Sequence, residues 1–100
     1  MSPALMAYLE HRQKLLARVR RVLIDNLHVQ REPDEIDPDA PLFGTGLGLD
    51  SVDAVELIVC LETEFAFRLD DDALARSSMR TVNSLVDLVL RKNGGPHAAA

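Results

Sequence analysis

The chain has 100 residues, 47% of them hydrophobic and 4% aromatic, no tryptophan, and a formal net charge of -5 at pH 7. That length gives one domain with one small core, and an aliphatic, aromatic-poor composition points to packed helices in preference to a sandwich. A net negative surface argues against nucleic acid, whose phosphates ask for a basic face, and no run approaches the roughly 18 uncharged apolar residues of a membrane span.

The single cysteine, Cys60, makes no internal disulfide and gives no metal spacing, which suits a reducing, cytoplasmic setting. Ser2-Pro3 leads into a charge-studded stretch unlike a signal peptide. The charge is uneven. Arg12, Lys14, Arg18, Arg20 and Arg21 crowd the first quarter, and the acids gather from Glu32 onward; such bipolarity gives a small domain a preferred orientation toward partners and steers basic ones to its acidic half.

From about Ala4 to Leu27, Leu5, Leu9, Leu16, Val19, Leu23 and Leu27 recur at helical spacing, so a long first helix with one buried stripe is expected. Arg12 interrupts that stripe, and a snorkelling side chain near a frayed start is preferred to a buried ion pair. His28 to Leu49 is a long connection broken by Pro33, Pro38, Pro41, Gly44, Gly46 and Gly48. A loop of that length is usually functional or pinned down, with Ile36, Leu42 and Phe43 as the expected pins.

A second helix follows from Asp50 to Phe65, with Asp50 as N-cap and Asp53 in the capping-box position. Ala54, Leu57, Ile58, Leu61 and Phe65 share its core face, while Val52, Val55 and Val59 lie opposite with Glu56 among them and Glu62 on the flank. Asp70-Asp71-Asp72 caps a short helical piece, Ala73 to Arg76, with Leu74 and Met79 turned inward. Thr81 opens a last helix whose stripe is Val82, Leu85, Val86 and Val89, stopped by Asn93-Gly94-Gly95-Pro96. The expected fold is all-α: a four-helix bundle of three longer helices and one short one after a long first loop, as a single domain over 1–93 with a flexible tail over 94–100.

Catalysis needs converging groups, and few present themselves. His11, His28 and His97 are scattered without ligand spacing, and the expectation for each is exposure to solvent. Cys60 reads as an inert, half-buried thiol, and the carboxylates of the second helix as a solvated acidic face. Phe43-Gly44-Thr45-Gly46-Leu47-Gly48 holds no lysine and no phosphate-loop pattern. No catalytic residue and no metal ligand is expected. Ser51 stands apart: it opens the second helix, where an electropositive helix end would tolerate a phosphodiester. By position alone it is a first-turn serine, but the second, valine-bearing stripe beside it has the character of a docking surface.

The run Leu42-Phe43-Gly44 through Gly48-Leu49-Asp50-Ser51-Val52-Asp53-Ala54-Val55-Glu56-Leu57 to Leu61-Glu62-Thr63-Glu64-Phe65, with the Thr81-Val82 helix start, resembles the acyl carrier protein family, small four-helix domains bearing 4′-phosphopantetheine on a serine. The resemblance covers about Ile36 to Val89 by motif. It implies that Ser51 is the attachment serine, modified by a separate phosphopantetheinyl transferase, and that the protein is a monomeric, non-catalytic carrier. Asp50 and Asp53 resemble the acids that the transferase and its magnesium engage. With Val55 between them, Val52, Glu56, Val59, Glu62 and Glu64 resemble the recognition helix read by acyl-loading, condensing or acyl-transfer enzymes. Val52 in place of a larger residue, Arg68 at an often acidic position, Asp70 for the usual proline and the long basic first helix depart from the housekeeping pattern and fit a stand-alone carrier in a fatty-acid-like, polyketide-like or other specialised lipid pathway. An aminoacyl carrier and an unmodified helical adaptor remain open at this point.

Overall fold

A computed structural model describes residues 2–93. Over them the chain is all-α: α1 (Pro3–Asp25), α2 (Ser51–Phe65), α3 (Asp72–Ser78) and α4 (Val82–Asn93), with a 3-10 turn at Pro33–Glu35 in the first connection. The tail expected over 94–100, including His97, lies outside the described residues.

The start of α1 follows from its first two residues. Ser2 caps the helix, its hydroxyl accepting from the Leu5 N–H at 3.1 Å, and Pro3 takes the first turn where no amide donor is missed. The helix ends at Asp25, before the expected Leu27. There the chain turns through His28, at a left-handed φ of 59°, and the Val29 N–H reaches back to the Leu23 carbonyl at 3.1 Å. The buried stripe is Leu15, Val19, Val22 and Leu23; Leu27 is also buried, though past the helix, while Leu5 and Leu9 are exposed and Leu16 is half-buried. Periodicity identifies residues sharing a face but not where the neighbouring elements stop, and residues 2–10 run beyond the bundle.

Arg12 also departs from expectation. Its guanidinium bonds the Asp87 carboxylate at 2.7 Å and the Asn83 side-chain oxygen at 3.2 Å, bridging α1 and α4 instead of snorkelling. Burial opposes its charge, but the bond to Asp87 and that carboxylate's field outweigh burial and raise its pKa above the ordinary arginine value. The Asp87 side chain is 67% exposed, so the pair is worth about 0–1 kcal/mol. Histidine exposure is only half right: His28 is exposed and His11 half-buried.

The long connection is fastened in several places. Ile36 and Leu42 are fully buried, Phe43 packs half-buried against the core, and Arg20 clamps the Ile36 carbonyl at 2.8 Å. The Leu42 N–H donates to the Arg80 carbonyl at 2.9 Å and the Leu49 N–H to the Leu42 carbonyl at 3.1 Å. These bonds tie the segment before α2 to the segment before α4. Gly46 packs so closely that a Cβ there would lie 1.8 Å from the Pro41 carbonyl oxygen, so only glycine fits.

Helix α3 is longer than the expected Ala73 to Arg76. Asp71 caps it by accepting from the Leu74 N–H at 3.1 Å; Ala75 and Ser78 are its buried residues, with Leu74 and Met79 half-buried. Thr81 and Ser84 open α4 as a reciprocal pair, the Ser84 N–H donating to Thr81 Oγ1 at 3.1 Å and the Thr81 N–H to Ser84 Oγ at 2.9 Å. The core gathers Val19, Leu23, Ile36, Leu42, Leu57, Leu61, Leu85 and Val89, all fully buried. Truncating one of its leucines to alanine costs about 2–5 kcal/mol.

Candidate functional site

The site is built at the start of α2. Asp50 sits just outside the helix at φ -114°, ψ -176°, and its Oδ1 accepts from the Val52 N–H at 3.0 Å and the Asp53 N–H at 2.9 Å. Asp53 returns the favour through Oδ2, which accepts from the Asp50 N–H at 2.9 Å, completing a capping box in which aspartate serves where glutamate is usual. The backbone bond from Asp53 is the largest influence on the Asp50 carboxyl and holds it below the usual carboxylate range; desolvation opposes it, and the bond from Val52 adds to the lowering.

Ser51 is the first helical residue and is exposed. Among the described residues its hydroxyl takes no part in a hydrogen bond, so the cap does not employ it and the oxygen stands open to solvent. Such a hydroxyl fits a tethered phosphodiester, since nothing need be broken to use it. One expectation changes in detail: the first-turn amides that a helix N-terminus normally offers an anion are already claimed by Asp50.

On the outer face of α2, Val52, Val55 and Val59 are 72%, 65% and 54% exposed, and Glu56 is exposed among them. On the inner face, Leu57, Leu61 and Phe65 are buried while Ala54 and Ile58 are half-buried. The acids at the far end are engaged within the molecule. Glu62 Oε2 accepts from the Leu69 N–H at 2.7 Å, pinning the turn after the helix. Glu64 pairs with Arg18 at 3.0 Å, and the same guanidinium lies 4.4 Å from the Phe65 ring centroid and reaches the Glu64 carbonyl at 2.8 Å. The structure therefore brings Asp50, Ser51, Val52, Asp53, Val55, Glu56 and Val59 together as an open surface, and gives Glu62 and Glu64 structural partners besides.

Cys60 is half-buried, and desolvation, then the nearby Glu56 charge, push its thiol pKa up, away from the reactive thiolate. Among the described residues no group of histidine, cysteine and carboxylate ligands is arranged to hold a metal ion, and no helix is long and apolar enough to cross a membrane.

One feature near the site has no signature in the sequence. A groove of about 340 Å³ lies between His28–Arg31, past the end of α1, and Leu47, Gly48, Leu49 and Asp53. His28, which lines it, has a left-handed φ of 59°, a conformation in which glycine or asparagine is the usual residue; a histidine gives no local cue to such a turn.

Comparison with known proteins bears on this geometry directly. Residues 17–89 match the family described as the phosphopantetheine attachment site. The chain is 32% identical over 82 residues, 82% of its length and 95% of the relative's, to an acyl carrier protein of Thermosynechococcus vestitus. Its fold is similar to the crystal structure of an acyl carrier protein from Thermotoga maritima, with a TM-score of 0.66 and 28% identity over 84% of this chain and 92% of that one. A match over most of the chain, a relative of the same length class and a shared four-helix architecture agree: the chain belongs to the acyl carrier protein family, whose cofactor is covalently attached phosphopantetheine.

Proposed function

We propose that this protein carries acyl intermediates as thioesters on a 4′-phosphopantetheine arm attached to Ser51. The observation that carries the assignment is the open Ser51 hydroxyl at the tip of α2, beside a cap that does not use it and a valine stripe that the core does not need. In the attachment step the Ser51 Oγ attacks coenzyme A's pyrophosphate within a transferase. A new phosphoester bond forms to Ser51, the pyrophosphate P–O bond breaks, adenosine 3′,5′-bisphosphate leaves, and the hydroxyl proton passes to the transferase. Thereafter the thiol at the end of the arm, not Cys60, holds the cargo, and partner enzymes supply the chemistry.

Asp50 and Asp53 flank the serine as the acids that a basic transferase and its magnesium meet. Val52, Val55, Glu56 and Val59 form the centre of the surface read by partners, with Glu62 and Glu64 at its rim. Exposed ion pairs contribute about 0–1 kcal/mol each, so several around a small apolar centre give fast, reversible docking. That weakness suits a shuttle, which must release each partner. The acidic surface and the departures at Val52, Arg68 and Asp70 support an acyl cargo in a specialised lipid pathway.

Incubation with coenzyme A and a broad-specificity phosphopantetheinyl transferase, followed by intact mass, tests the reading. One arm's mass is expected on the wild type and none on Ser51→Ala. No gain with a transferase that labels a control carrier would leave an unmodified adaptor as the better description.

A further inference from the structure

Helix α2 carries acids along its whole length, and they are not equivalent. Among the described residues the ion pairs are Arg12–Asp87, Arg18–Glu64 and Arg21–Asp25, so Asp50, Asp53 and Glu56 at the start of the helix have no cation partner there. The capping-box bonds to Asp50 and Asp53 come from backbone amides and leave both carboxylates charged. Glu56 stands exposed in the valine stripe.

The far end is different. One turn past Val59 the outward position holds Thr63, an uncharged residue whose hydroxyl donates to the Val59 carbonyl at 3.0 Å. Glu62 is half-buried, with its Oε2 on the Leu69 N–H at 2.7 Å. Glu64, five residues beyond Val59, lies about 140° around the helix from it, on the side that meets α1. Arg18 of α1 holds it there: Nε donates to Glu64 Oε2 at 3.0 Å, Nη2 donates to the Glu64 carbonyl at 2.8 Å, and the guanidinium lies 4.4 Å from the Phe65 ring centroid. An arginine stacked and doubly bonded in this way is already ordered, and a partner's cation must displace it to reach Glu64. The pair also presents only a weak dipole to an approaching molecule, whereas Asp50, Asp53 and Glu56 each present a whole charge.

We infer that Arg18 sets the boundary of partner recognition. By occupying Glu64 it limits the readable charge of α2 to Asp50, Asp53 and Glu56, so the surface fits a partner whose apolar hollow for Val52, Val55 and Val59 carries basic side chains on the Ser51 side alone. A partner with a basic track as long as α2 meets a guanidinium at the far end. The inference rests on the carrier reading and narrows it, with Glu62 and Glu64 at the edge of the surface and not among its contacts.

The test measures the KM of a broad-specificity phosphopantetheinyl transferase for this protein, with coenzyme A saturating and arm transfer read by intact mass. Glu56→Gln is expected to raise KM by about two- to fivefold, the size of one exposed charge contact, and Glu64→Gln, which keeps an oxygen for Arg18, to leave it within about 1.5-fold. Arg18→Gln frees Glu64 and should lower KM by about two- to fivefold at low salt. That gain should vanish at 1 M salt, where the screening length shrinks to about 3 Å, and in the Arg18→Gln, Glu64→Gln double variant, with kcat unchanged throughout. Equal losses from Glu56→Gln and Glu64→Gln, or no gain from Arg18→Gln, would overturn the boundary and leave the carrier reading intact. The first comparison stands even if Arg18→Gln fails to fold. Absence of any arm on the wild type would overturn both.

Discussion

Asp50 and Ser51 divide the labour at the tip of α2: one residue holds the helix and the other is left free. Replacing Ser51 with alanine is therefore expected to change thermal stability by no more than about 0.5 kcal/mol, the usual range for a surface change away from special features, while abolishing modification. Asp50→Ala should lower the melting temperature and fray the first turn of α2, measurable as faster hydrogen exchange at the Val52 and Asp53 amides that it caps. The same cap is sensitive to acid in a defined direction. Because the folded-state pKa of Asp50 is depressed, its contribution is complete above the unfolded aspartate value of about 3.9 and is lost as pH falls through the lower folded value. The protection of those two amides, relative to their intrinsic exchange rate at each pH, should fall over that acidic interval and hold at neutral pH.

At the scale of elements, two turns among the described residues carry non-glycine residues in left-handed conformation, His28 after α1 and Ala66 after α2. Ala66 closes its helix by donating its N–H to the Glu62 carbonyl, at φ 55°. Left-handed backbone costs a residue with a Cβ about 1–2 kcal/mol relative to the right-handed form, so Ala66→Gly is expected to stabilise the fold by about 1 kcal/mol in denaturant unfolding. Gly46→Ala should do the reverse, because its new methyl would collide with the Pro41 carbonyl, and a loss of more than about 1 kcal/mol is expected. Much of this level was legible in the sequence. The Asp50–Asp53 box, the Thr81 start and the pins Ile36 and Leu42 followed from capping chemistry and from the rule that a long loop must be fastened. What escaped was set by distant neighbours. Leu15 and Val22 replace Leu5 and Leu9 in the core because the rest of the bundle stops short of the first turns of α1. The Arg12 pair depends on Asp87 and Asn83, residues of another helix, and the groove is lined by His28 in an uncommon backbone conformation.

Over the whole molecule, the buried stripe that seats α2 in the core and the exposed valine stripe proposed to meet partners are separate, while Asp50, Asp53, Glu62 and Glu64 also hold the fold. The core stripe of α2, Leu57, Leu61 and Phe65, is buried, whereas Val52, Val55 and Val59 are largely exposed. Leu61→Ala is therefore expected to cost about 2–5 kcal/mol, and a joint Val52, Val55 and Val59 to serine change to leave the unfolding midpoint nearly unchanged while weakening transferase and partner binding. The central claim is that Ser51 is the point of attachment, and peptide mapping tests it most directly. The tryptic segment from Glu32 to Arg68 contains three hydroxyl side chains, Thr45, Ser51 and Thr63, along with Cys60. Fragmentation after treatment with coenzyme A and transferase is expected to place the whole arm on Ser51; an arm found on either threonine, or no arm at all, would contradict the account.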